Sequence, residues 1–170
     1  MTVERDDSRL RGTLFMPCVL ERLTDLNPEN RTESFSRAVS LSGLRRSVLE
    51  NVAQIFNSRS HPDPEALGND SEISSSVLAM GLPDFCGTSV GDVRRAWLKR
   101  EIVRQLATFE PRFLPDSIAV DFKGERDSDG GVLELEVRAI ISVEPLKEEL
   151  AFRALLNVET GESSVNFKDA

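Results

Sequence analysis

The chain has no tyrosine, one tryptophan and one histidine. Sugar-binding clefts usually carry stacking rings, so the shortage argues against one. Cysteine is equally scarce. Cys18 and Cys86 stand far apart with no CxxC spacing, which fits buried thiols in a reducing compartment better than a disulfide framework. Two distant cysteines and His61, set beside Pro62 and Pro64, do not make a zinc site. A histidine in such a loop is also a poor base for a serine nucleophile. No P-loop, GxGxxG, HExxH or GxSxG occurs, so no cofactor is implied. No apolar run is long enough to cross a membrane, and residues 1–11 are charged without the apolar stretch of a secretory signal. Positive charge is in deficit, with 21 Lys and Arg against 29 Asp and Glu, a net −8. Free nucleic acid and anionic membrane surfaces are therefore disfavoured as partners. These absences together predict a cytoplasmic protein.

What is present is enough chain for one core. A domain near the length of these 170 residues buries about 68–70% of its unfolded surface. Residues 1–13 are polar and predict a disordered tail. Residues 14–40 read as an N-terminal docking segment and linker. Within them Val19, Leu20 and Leu23 form one face of about two helical turns, with Pro17 near the first position. So short a helix needs a surface to dock on. Residues 41–170 read as a single α+β domain.

Leu44, Val48, Val52, Ile55 and Phe56 recur at helical spacing and predict a helix over 42–57. Residues 74–80 predict a short helix ending at Gly81 as its C′ glycine. Ser89, with Asp92 three residues on, marks the start of a second long helix that runs to Phe109. Leu98, Ile102, Leu106 and Phe109 form its stripe. Arg94, Arg95, Lys99, Arg100 and Arg104 make this helix basic within an acidic chain, as either a solvated face or a docking face for an acidic partner.

Beyond residue 114 the period changes to two. Ile118, Val120 and Phe122 alternate. So do Leu133, Leu135, Val137, Ala139, Ile141 and Val143, up to Pro145, and then Leu150, Phe152, Ala154, Leu156 and Val158. Turn residues at 127–131 and 160–161 separate the runs, and Val165 with Phe167 predicts a last short strand. The pattern predicts N-terminal helices packed on one face of a C-terminal antiparallel β-meander.

Between the two regimes lies Phe109-Glu110-Pro111-Arg112. Pro111 stops the helix and favours an extended conformation before it. In an extended segment Glu110 and Arg112 point to the same side. A carboxylate at a helix C-terminus opposes the macrodipole by about 0.3–1 kcal/mol, and Arg112 offsets it. Glycoside hydrolysis needs two carboxyl groups. Among the acidic residues only Glu110 has a distinctive setting, and pairing with Arg112 is the wrong arrangement for a general acid. A surface ion pair contributes about 0–1 kcal/mol, so Arg112→Ala is expected to leave the fold intact.

Four motifs in order carry a resemblance: Leu20-Glu21-Arg22-Leu23-Thr24-Asp25, Leu44-Arg45-Arg46-Ser47-Val48, Met80-Gly81-Leu82-Pro83-Asp84-Phe85 and, above all, Phe109-Glu110-Pro111-Arg112. Over residues 14–167 the chain resembles the TssE family, the small baseplate subunit of type VI secretion systems. That family is similar to the lysozyme-like wedge protein of contractile phage tails. The resemblance implies a structural part rather than an enzyme. It implies that Glu110, Pro111 and Arg112 contact the core bundle formed by TssF and TssG. It also implies that the strand region pairs with strands of the sheath proteins TssB and TssC and helps start sheath polymerisation. The expected docking edge is the 150–158 run or the 163–167 run. Val19, Leu20 and Leu23 are expected to dock on a partner. The competing readings are a peptidoglycan hydrolase and a free-standing peptide-binding adaptor. The long polar loop at 57–74 departs from the family pattern.

Overall fold

The structure, a computed structural model, describes residues 15–25, 28–29, 38–60, 72–86, 92–123, 131–144 and 146–167. The expectations for the 1–13 tail, most of the 27–40 linker, His61 with its prolines, Ser89, the turn at 127–130, Pro145 and the last three residues lie outside them. The chain divides into two compact units, residues 1–47 and 48–170, and the boundary falls inside a helix.

In the first unit, helix α1 spans Val19–Leu23. Cys18 is its N-cap. The Cys18 N–H donates to Glu21 Oε2 at 2.7 Å, and the Glu21 N–H donates back to Cys18 Sγ at 3.5 Å. Pro17 therefore stands two residues before the first helical residue, because the reciprocal cap fixes the start at Val19. Phe15 is buried and pairs with Val39 in an antiparallel bridge. Helix α2, Leu41–Asn57, begins in this unit and continues into the second.

The second unit holds the rest of α2, helix α3 (Asp92–Phe109) and a four-stranded antiparallel sheet in the order β1-β2-β3-β4. The strands are Ala119–Lys123, Val132–Val143, Leu146–Asn157 and Ser163–Phe167. Register keeps apolar partners on one face, as in Val120↔Val137↔Phe152 and Phe122↔Leu135↔Ala154. Val120, Leu135, Val137, Ile141, Phe152 and Leu156 are fully buried there, as are Ile102 and Leu106 of α3, which lies against β1. Each such side chain stabilises by about 1.5–3 kcal/mol relative to exposure. The opposite face carries cross-strand ion pairs: Arg138 with Asp121, Lys123 with Glu136, and Arg153 with Glu134. The α+β meander is thus as the hydrophobic period predicts.

Two expectations are corrected. Residues 74–80 form no α-helix. Two 3-10 turns, Glu72–Ser75 and Val77–Ala79, take their place. Gly81 follows the C-cap Met80 and so stands at C′ of the second 3-10 turn, as expected. Its φ of +119° also serves a close approach. Leu82 bridges in parallel to Arg59, with Leu82 N–H to Ser58 O and Ser60 N–H to Leu82 O both at 3.1 Å. A Cβ on Gly81 would stand 2.5 Å from the Ser58 carbonyl carbon. Gly81→Ala is expected to cost about 3 kcal/mol or more, since left-handed strain and a backbone clash add. An unchanged denaturant midpoint would refute this. Finally, the 150–158 run is no edge over its second half, since residues 152–156 pair with β2 on one side and β4 on the other. Among the described residues the short β4 is the outer strand on that side. A five-residue run with modest burial, following a tight turn, falls naturally outside a twelve-residue hairpin.

Candidate functional site

The last turn of α3 delivers Glu110 and Arg112. Glu110 N–H still donates to Leu106 O at 3.0 Å, and Phe113 N–H then donates to Glu110 O at 3.0 Å. The segment is therefore a β-turn rather than extended. Pro111 sits at its second position, where proline is favoured, and Arg112 has no positive φ, which makes the turn type I. Proline's fixed φ suits this turn as well as an extended strand. The chain then runs along β2. Leu114 N–H donates to Ile140 O at 2.9 Å, and Ser142 N–H donates to Arg112 O at 2.8 Å. Between them the Ile140 N–H donates to Ser117 Oγ at 2.8 Å. The turn is held to the sheet through backbone bonds and not only through its side chains.

Across this turn Arg112 grips Glu110 as a fork. Nε donates to Oε1 at 2.6 Å and Nη2 to Oε2 at 2.7 Å. The Arg112 backbone N–H adds a bond to Oε1 at 3.2 Å. Asn51 of α2 completes the set, donating from Nδ2 to Oε2 at 2.9 Å and to the Phe109 carbonyl at 3.1 Å. Glu110 has no exposed surface, while the Arg112 side chain keeps 20% of its own. Pro111 is exposed. The pair is therefore not the surface ion pair on which the expectation of a harmless Arg112→Ala rests. Asn51 was invisible to period counting, yet its position is telling: it follows Val48 by three and precedes Ile55 by four, on the apolar face of α2. A polar residue with poor helix propensity on that face signals a buried partner. Gln105 does the same on α3. Fully buried, it accepts from Gly81 N–H and donates to Ala79 O, both at 2.8 Å, and ties the 3-10 turns to the helix.

The remaining predicted residues lie on α1, in the first unit. Val19, Leu20 and Leu23 are 68%, 66% and 78% exposed. The basic face of α3 is largely engaged internally. Arg94 lies over Trp97 and Arg95 over Phe122, Lys99 pairs with Asp121, and Arg104 pairs with Glu101. The hydrogen bonds from Lys99 and then Arg138 hold the Asp121 carboxyl below its usual range. Desolvation and then Asp84 push the Cys86 thiol upward. Among the described residues no acidic, histidine and cysteine group has the makings of a metal site, and no helix is long and apolar enough to cross a membrane.

The sheet edge is the other surface of note. Asn57, the last residue of α2, meets β4 as a strand would. Ser163 N–H donates to Asn57 Oδ1 and Asn57 Nδ2 donates to Ser163 O, both at 2.9 Å. Backbone direction alternates along a strand, so Val165 and Phe167 aim their N–H and C=O groups the same way as Ser163, away from β3. On β3, residues 146–151 have no strand on that side among the described residues.

A family model described as baseplate wedge protein gp25 matches residues 42–146. The match covers more than half of the chain, from the start of α2 through β2, and includes the Glu-Pro-Arg turn. No curated protein and no solved structure matches the chain.

Proposed function

This chain belongs to the baseplate wedge protein gp25 family, a family of structural baseplate components, and from that premise we propose that it is the TssE-type subunit of a type VI secretion baseplate. In this role it links the TssF–TssG core bundle to the TssB–TssC sheath and helps start sheath polymerisation. The observation that carries the reading is the turn at 110–112. A buried carboxylate fixes an arginine fork beside an exposed proline, at the place where the resemblance puts the contact with the core bundle. The outer side of β4, which has no strand neighbour among the described residues, supports the second half, because Val165 and Phe167 direct their N–H and C=O groups outward to an added strand. The exposed apolar α1 supports a third contact, through Val19, Leu20 and Leu23.

The hydrolase reading fares worse. With four donors on its two oxygens and no exposure, Glu110 has no surface to present to a polysaccharide. Co-purification with TssF and TssG tests the structural reading, with a peptidoglycan zymogram alongside. The expected result is a stable complex and no cleared peptidoglycan. Clearing that vanishes in Glu110→Gln would overturn it. In the same assay, Leu20→Ser with Leu23→Ser is expected to cut complex yield several-fold without shifting the melting temperature of the free subunit, because both side chains are exposed there. A lowered melting temperature would make α1 part of the protein's own packing.

A further inference from the structure

Resting on the β4 docking reading, we infer that Asn57 is the register stop of that edge. Its carboxamide takes the place of a strand's first rung, so an added strand pairs from Val165 outward and no nearer the turn. A carboxamide has one oxygen acceptor and two N–H donors. Asn57 Oδ1 accepts from Ser163 N–H, and Nδ2 donates to Ser163 O and to Ala53 O, all at 2.9 Å. Reversing the amide would set its oxygen against two carbonyls, so the network fixes its orientation. A strand residue that exchanged both N–H···O bonds with Ser163 would use the same two groups. Asn57 is itself exposed, so these bonds are not the satisfaction of a buried amide. The helix backbone stands elsewhere. Ser163 Oγ donates to Phe56 O at 3.3 Å, and Ser163 pairs with the buried Leu156. The end of α2 therefore lies over the core face of the sheet, and the Asn57 side chain reaches round to the in-plane groups. Arg59 keeps the turn in place, donating from Nη2 to Gly161 O and from Nη1 to Phe56 O, with its guanidinium over Phe85. The stop also describes the strand that fits. Val165 and Phe167 share the core face with Ala154 and Phe152, while Ser164 and Asn166 share the opposite face with Leu155 and Arg153. Phe167 is 43% exposed. The fitting partner is a short sheath strand with apolar side chains beside Val165 and Phe167 and polar ones beside Ser164 and Asn166.

The test uses the full chain and two readouts. In the free subunit, Ser163 N–H is expected to exchange with solvent about tenfold more slowly than Val165 N–H. In Asn57→Ala the two are expected to exchange alike, with the melting temperature lower by a few degrees at most. In a baseplate reconstituted with TssB–TssC, Ser163 N–H of Asn57→Ala is expected to be protected again, because the added strand then runs one rung further. The frequency of sheath starts is the second readout. Val165→Pro is expected to cost about tenfold with Asn57 present and less than about threefold in Asn57→Ala, where Ser163 offers a replacement rung. If Asn57→Ala does not fold, Asn57→Ser, too short to span both groups of Ser163, carries the same comparison. An equal loss in both backgrounds, or a Ser163 N–H that stays unprotected in the Asn57→Ala assembly, would overturn the inference while leaving docking on β4 in place. A folded Val165→Pro chain with Asn57 intact that starts sheaths at the wild-type rate overturns both.

Discussion

Arg112→Ala is expected to melt roughly 10 °C below the wild type, as about 2–4 kcal/mol of stability is lost. The loss follows from what is left behind. Glu110 stays without exposure and keeps only Asn51 Nδ2 and one backbone N–H at 3.2 Å. Removing one member of a buried pair strands the other's charge, which costs more than the pair ever contributed. The converse change separates stability from function. Glu110→Met with Arg112→Met removes both charges and fills much the same volume. Such swaps are often neutral or stabilising, so this variant is expected to melt within a few degrees of the wild type. It is also expected to fail to bind the core bundle, since no fork remains. The double variant is expected to lose binding while keeping its stability, which a purely structural ion pair would not do. Calorimetry on both, with binding measured in parallel, checks the claim. An Arg112→Ala variant that melts like the wild type would mean that water reaches the carboxylate and that the site is softer than its geometry.

The reach of the sequence was set by period. Both long helices and the strand alternation are repeated signals, carried by many apolar residues at once, and single exceptions do not erase them. Residues with a single role are harder to see. Gly81 resembles a helix C′ glycine, and only the parallel bridge between Arg59 and Leu82 reveals that it is needed for close approach. Glu110 and Arg112 were legible because proline stands between them. Their burial was not, because it comes from the 112–114 segment lying along β2 and from Asn51, 59 residues before Glu110. The identity of the edge strand was equally hidden. Strand order depends on pairing, and a run of alternating residues reads the same at an edge as in the middle.

That distinction decides the outcome of two prolines. Leu155 lies in β3 opposite both Glu134 of β2 and Ser164 of β4. Proline there removes a ladder donor inside the sheet and is expected to cost about 3 kcal/mol or more, leaving much of the domain unfolded by circular dichroism. Val165 lies in the edge strand opposite Ala154, and its N–H faces outward, in phase with the Ser163 N–H that Asn57 accepts. Proline at 165 breaks no bond to β3, its ring replaces a side chain of similar bulk, and the fold is expected to survive. What is lost is the donor offered to an incoming strand. Asn57 already occupies the outward groups of Ser163, so an added strand must find its register on Val165 and Phe167, and Val165→Pro removes the first of these. In a reconstituted baseplate the variant is expected to join the core bundle normally and to start sheath growth at least tenfold less often, roughly the effect of losing one well-made backbone bond in a short ladder. A folded Val165→Pro subunit that starts sheaths at the wild-type rate would move the docking edge away from β4, either to the 146–151 stretch of β3, which has no strand on that side among the described residues, or to β1 at the far side of the sheet.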